Sequence, residues 1–176
     1  SALVLVRERG RAMAKAAAVT PTGMTAILGG DAKAVLAQLA GLGLTPANVN
    51  GAGQVVAAGT LEQLDALAAN PPEGARLRPL AVAGAFHTSH MAPAVDRLRQ
   101  LAVAVPTFEP ETRLVQNADG VVVQHGLDFV GRLVDQVAAP VRWDACMKTL
   151  ADLGVTAVIE LPPAGTLVGL IKRALP

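Results

Sequence analysis

Serine is almost missing from this chain: Ser1 and Ser89 are the only two in 176 residues. That leaves no Gly-x-Ser-x-Gly nucleophile elbow, and neither a P-loop nor a Gly-x-Gly-x-x-Gly phosphate cradle is present. A reaction that runs through a serine would have to draw part of its site from outside these residues. Cysteine is limited to Cys146, which excludes an internal disulfide framework and fits a reducing compartment. Aromatic residues are scarce, with three Phe, one Trp and no Tyr, and the 15 Lys+Arg nearly cancel the 14 Asp+Glu. The chain therefore offers a nucleic-acid backbone no basic footprint and its bases few rings to stack on. No apolar run reaches the roughly 18 to 20 residues of a membrane span, and the opening SALVLVRERGR places its charges after its short apolar stretch, the reverse of a secretory signal. The expectation is a cytoplasmic protein with neither nucleic acid nor membrane as partner.

What is there is a core. Hydrophobic residues make up 52% of the chain and charged ones 16%, and a chain of this length buries roughly 70% of its unfolded surface. Residues 2–18 carry Leu3, Val6, Gly10, Met13 and Ala17 at helical spacing, predicting a helix that opens at residue 1 without a cap and hinting at the rear part of a longer protein. From Met24 the pattern becomes strand (24–28), helix capped by Asp31, strands 44–50 and 54–59 joined at Gly51-Ala52-Gly53, helix capped by Thr60, and strand 76–83. That β-α-β-β-α-β order is the ferredoxin-like split βαβ unit. After FHTSHM the spacing predicts a helix through Leu101, a strand at 113–117, helices at 129–137 and 143–153, an apolar strand at 155–161 before Pro162-Pro163, and a closing helix at 167–175. This alternation argues for a parallel or mixed sheet. The expected organisation is a ferredoxin-like insert at 24–84 interrupting an α/β body made of 1–20 and 85–176.

Three readings compete for His87 and His90, which stand i, i+3 in FHTSH. They are half of a metal site completed by His125 or an acid, or one is a catalytic base at the junction of insert and body, or both are ordinary packed histidines. Zinc asks for three or four ligands, and no Cys or Glu is spaced to help, so no metal is expected. Ser89 lies between the two histidines without an elbow or a glycine-lined oxyanion hole, which argues against a nucleophile. Cys146 sits in an apolar helix, the place of an inert thiol. Arg9 belongs to the charge run Arg7-Glu8-Arg9-Gly10-Arg11 and would ordinarily be read as solvated. Asn48, Asn50, Gln116 and Asn117 mark strand ends and turns.

Six segments in order, RERGRAM, PTGMTAILGG, PANVNGAGQVVAAG, VAGAFHTSHMAPA, LVDQVAAPVRW and VIELPPAGTLVGLIKR, together resemble the malonyl-CoA:acyl-carrier-protein transacylases of fatty-acid synthesis and the acyltransferase domains of polyketide synthases. The resemblance implies an α/β-hydrolase-like body with an inserted ferredoxin-like subdomain. It also implies an acyltransferase that moves malonyl from coenzyme A to the phosphopantetheine thiol of an acyl carrier protein, by ping-pong through an acyl-serine and without a further cofactor. It puts the catalytic histidine on His87, the main-chain carbonyl that supports it on Gln136, the malonyl-binding arginine on Arg9 and a pocket asparagine on Asn48; His90 has no part in the scheme. The family's serine elbow and oxyanion loop have no counterpart in the chain, so the expectation is a C-terminal portion whose partner is the missing N-terminal segment. The alternative is a non-catalytic ferredoxin-like module that binds a ligand or partner.

Overall fold

The computed structural model describes residues 2–174. Ser1, where the first helix is expected to open, and Leu175, expected to end the last, lie outside the described residues. Helix α1 (Ala2–Ala17) leads into a β-α-β-β-α-β run: β1 (Thr22–Gly29), α2 (Ala32–Gly41), β2 (Thr45–Gly51), β3 (Gln54–Thr60), α3 (Leu61–Ala69) and β4 (Ala75–Pro79). The expected caps form. Asp31 accepts the Ala34 N–H at 2.9 Å, and Thr60 and Gln63 satisfy each other's backbone N–H in a capping box. Between β2 and β3 the chain turns through Gly51, Ala52 and Gly53, all three at positive φ, which two glycines make cheap.

The strands join in the order β4-β1-β3-β2, all antiparallel, and the outer edge of β2 takes β7 (Val141–Arg142) as a parallel fifth strand. Strand alternation gives the sheet two faces. Ile27, Val55 and Ala57 pack under Val35 and Leu39 of α2 and Leu67 of α3, while Met24, Ala26, Val56 and Ala58 turn to the other side with Ala47 and Ala85. Full burial of side chains such as Ile27, Leu39 and Leu67 stabilises by about 1.5 to 3 kcal/mol each.

A second core lies among helices. The turn at 84–88 leads through a short 3₁₀ stretch (Ser89–Met91) into α4 (Ala92–Ala102), and α5 (Gly126–Asp135) follows the two-residue ladder of β5 (Leu114–Val115) and β6 (Val122–Val123). Met13 and Ala16 of α1 pack with Met91, with Ala94 and Leu98 of α4, and with Val134 and Val137. Phe86 touches both this cluster and the sheet's second face, so the 84–88 turn is wedged between the two cores. Helices α6 (Trp143–Asp152) and α7 (Thr166–Ala174) complete the described chain.

Several expectations fail here. Residues 155–161 form no strand: Ile159 and Leu161 are 88% and 81% exposed, and no strand pairs with them among the described residues. An apolar run becomes a strand only when a neighbour takes its N–H and C=O groups. The rear segment accordingly builds no sheet of its own beyond β5–β6, and its remaining strand, β7, extends the first sheet. The fourth strand ends at Pro79 instead of 83, and α5 starts at Gly126, three residues early.

Candidate active site

The i, i+3 spacing of His87 and His90 does not put them on one helical face, because His87 is not helical. Its φ is +60°, in the left-handed region that non-glycine residues seldom adopt, and the 3₁₀ stretch begins two residues later. The imidazole reaches the C-terminal end of α5. There the ring's Nδ1 meets the main-chain carbonyl of Gln136 at 2.8 Å. A carbonyl only accepts, so Nδ1 carries the proton and Nε2 is left with a free lone pair.

Gln136 earns its place twice. Its residue is buried, and its side-chain Nε2 donates to the carbonyls of Ala139 and Pro140, both at 2.8 Å. Two carbonyl neighbours fix which end of the amide is nitrogen. The side chain thereby ties down the turn whose backbone carbonyl holds His87.

Arg9 reaches the same place from α1. Its neighbours Arg7 and Arg11 both bind Glu8, at 3.1 and 3.0 Å, and Arg9 makes no ion pair among the described residues. Leu5 and Val6 stand four and three residues before it, on the same side of the helix. Together with His87, Asn117, Gln136, Leu98, Leu133 and Val134 these three line a cleft of about 420 Å³. That is within the size range of small-molecule sites, and its mixture of apolar walls and a few polar groups is typical of them.

Burial is the largest influence on His87 and pushes its pKa below the ordinary imidazole value of 6.5; the charge of Arg9 pushes the same way, while the carbonyls of Gln136 and Ala139 oppose. The ring is therefore neutral at pH 7, with a basic Nε2. An imidazole in this state can take a proton from a nucleophile, and the unpaired guanidinium can receive a carboxylate through its planar fork.

The remaining candidates fall elsewhere. Asn48 lies on β2, opposite Val56 of β3 and Val141 of β7, and is not among the cleft's lining residues. Ser89 is exposed, and no hydrogen bond joins its side chain to a histidine among the described residues. His125 pairs with Glu109 at 3.1 Å on the surface. No group of three or more His, Cys, Asp or Glu that could hold a metal occurs among the described residues. Cys146 is buried, and its thiol is pushed up to about 11, chiefly by desolvation, which leaves it inert. Asn117 is the cleft residue that sequence reasoning underrated. The signal was its position just before the Asp119-Gly120 turn, where its backbone carbonyl accepts the Arg142 N–H at 2.6 Å.

No protein-family model matches the chain. Among curated proteins it is 53% identical to the malonyl CoA-acyl carrier protein transacylase of Mycolicibacterium smegmatis, over 99% of this chain and 61% of that protein. It is 51% identical to the transacylase of Mycobacterium tuberculosis, over 99% and 58%. The crystal structure of MCAT from Mycobacterium tuberculosis superposes with a TM-score of 0.93 at 51% identity, covering 96% of this chain and 56% of that one. A type II PKS acyl-carrier protein in complex with its malonyl-transacylase gives a TM-score of 0.90 at 31% identity, over 99% and 58%. The chain thus spans about three fifths of the length of these relatives. In sequence and in fold, over essentially all of its own residues, it is a relative of the malonyl CoA-acyl carrier protein transacylases.

Proposed function

We propose that this chain supplies the base and the carboxylate receptor of a malonyl-CoA:acyl-carrier-protein transacylase. The observation that carries this reading is the cleft in which an unpaired arginine and a neutral, tautomer-fixed histidine face one another. The nucleophile is a serine from a segment of the relatives that this chain does not span, which also brings the oxyanion donors. His87 Nε2 takes the serine's proton as its oxygen attacks the malonyl thioester carbonyl, and coenzyme A leaves as the thiol after receiving that proton. In the second half His87 deprotonates the carrier protein's phosphopantetheine thiol, which attacks the acyl-serine and frees the serine. The carbonyl of Gln136 stands where a triad carboxylate usually orients the imidazole. Arg9 binds the free malonyl carboxylate through two charge-assisted hydrogen bonds. Both half-reactions are redox-neutral acyl transfers, so coenzyme A and phosphopantetheine suffice without another cofactor.

This reading divides the chain into a ferredoxin-like subdomain, 24–84, and part of an α/β-hydrolase-like body, 1–20 and 85–176. Support comes from the β4-β1-β3-β2 order with α2 and α3 on one face. Leu3 and Val6 of α1 are 82% and 63% exposed, and together with Ile159 and Leu161 they are the surface assigned to the serine-bearing segment. Asn48 does not line the cleft, and its substrate-binding role rests on the resemblance alone. No described helix is long and apolar enough to cross a membrane, and we assign the work to the cytoplasm, where a lone buried thiol stays reduced.

The test is transfer of radiolabelled malonyl from coenzyme A to carrier protein. The 176 residues alone should give none; joined to the part of the Mycolicibacterium smegmatis relative that they do not span, they should turn over. In that joined enzyme His87→Ala should lose roughly 10² to 10⁴ in rate, and His90→Ala far less. Transfer by the 176 residues alone, or equal losses at both histidines, would refute the assignment.

A further inference from the structure

The left-handed backbone of His87 is uncommon for a side-chain-bearing residue and persists only where its surroundings over-determine it. Two buried threonines hydrogen-bond to residues on either side of it, Ala85 and His90. The Thr88 hydroxyl donates to the carbonyl of Ala85 at 2.7 Å and accepts the His90 N–H at 3.2 Å, capping the 3₁₀ stretch. On the other side of the same residue, the Ala85 N–H donates to Thr22 Oγ1 at 2.9 Å. Thr88 is 1% exposed, Ala85 0% and Thr22 8%, so none of these polar groups has water to turn to.

Thr22 opens β1 and is 63 residues from Ala85 in sequence. The pair therefore ties the His87 turn to the sheet at one end and to the 3₁₀ stretch at the other. The Gln136 carbonyl fixes the ring, but it can hold Nδ1 only if the backbone delivers the ring at the right angle. Nothing in the catalytic scheme uses either hydroxyl directly.

We propose that Thr88 and Thr22 are positioning residues for His87: their hydroxyls clamp Ala85 from both sides and hold the histidine in the left-handed conformation that brings its Nδ1 to the Gln136 carbonyl. This rests on the reading of His87 as the base, but the first readout does not depend on it. Thr88→Val keeps the shape of the side chain and removes its hydrogen bonds; Thr88→Ser keeps the hydroxyl.

The experiment is ¹⁵N NMR of the His87 ring in the 176-residue chain, followed by kcat and KM in the joined enzyme. Wild type should show a single tautomer protonated at Nδ1. Thr88→Val should shift the ring toward mixed tautomers, and its kcat should fall roughly 10-fold to 100-fold, the scale of a small misplacement of a reacting group, with KM little changed. Thr88→Ser should restore both signals. Thr22→Val, which unpairs only the Ala85 N–H, should move them in the same direction, and it serves as the probe if Thr88→Val does not fold. A folded Thr88→Val or Thr22→Val protein with the wild-type tautomer, or a Thr88→Ser protein that behaves like Thr88→Val, would overturn the clamp. A shifted tautomer with kcat unchanged would uphold the clamp and strike instead at His87 as the base.

Discussion

His87 answers to influences of unequal size, and their order sets a pH dependence. Burial dominates and disfavours the charged ring, and Arg9 adds to it, so the folded pKa lies below 6.5. The unfolded chain then binds the proton more readily than the folded one. The contribution of His87 to stability is present above about pH 6.5 and is lost as pH falls through the depressed folded value. Two outcomes follow: the acid limb of kcat/KM in the joined enzyme should have its midpoint below 6.5, and the denaturant midpoint should fall with acid less steeply in His87→Gln than in wild type. A limb above 6.5 would contradict the depression of the His87 pKa by burial. At this scale much was legible in sequence. The resemblance pointed to His87 and Arg9, whereas spacing alone left His87 and His90 undecided and read the charge run as solvated; Glu8's capture of Arg7 and Arg11, which leaves Arg9 unpaired, depends on side-chain geometry that spacing does not specify.

At the scale of elements, local rules worked where a segment carries its own reasons. Asp31 and Thr60 cap the helices they were expected to cap, and the Gly51-Ala52-Gly53 loop joins β2 to β3. They failed at 155–161, where the strand pattern is real but a ladder needs a second strand. What holds this segment is instead Glu160, whose carboxylate accepts the N–H groups of Gly165, Leu167 and Val168 at 2.8 to 3.0 Å across the start of α7. Those N–H groups, Leu167 first, hold its pKa below the ordinary 4.5, so the cap is complete above that value and is lost as pH falls through the depressed one. Glu160→Gln should fray α7, seen as lost helical circular dichroism and faster amide exchange at 165–168, and wild type in acid should approach the same state. If the serine-bearing segment covers 155–161, joining it should also slow amide exchange there. Unchanged exchange would remove that segment from this face.

For the whole molecule, the sheet and the helical core converge on one turn, with Phe86 in both, and His87 follows it into the cleft that Leu5, Val6 and Arg9 of α1 line. Sequence periodicity described each layer but not this crossing, since contacts such as Thr22 with Ala85 or Gln136 with His87 join residues far apart in the chain. It is also why Asn48 and Asn117 read alike as strand-end and turn residues, when Asn117 lines the cleft and Asn48, which the resemblance made a pocket residue, does not. The central claim is that the cleft selects a carboxylated acyl group, and Arg9 decides it. Two charge-assisted hydrogen bonds of about 1.5 to 3 kcal/mol each predict that Arg9→Ala lowers kcat/KM for malonyl-CoA by roughly 10² to 10⁴ in the joined enzyme. Acetyl-CoA, without the carboxylate, should be used as well as before or better. The measurement is the ratio of the two kcat/KM values in wild type and Arg9→Ala: the account predicts its collapse, and a ratio unchanged by the substitution would contradict it.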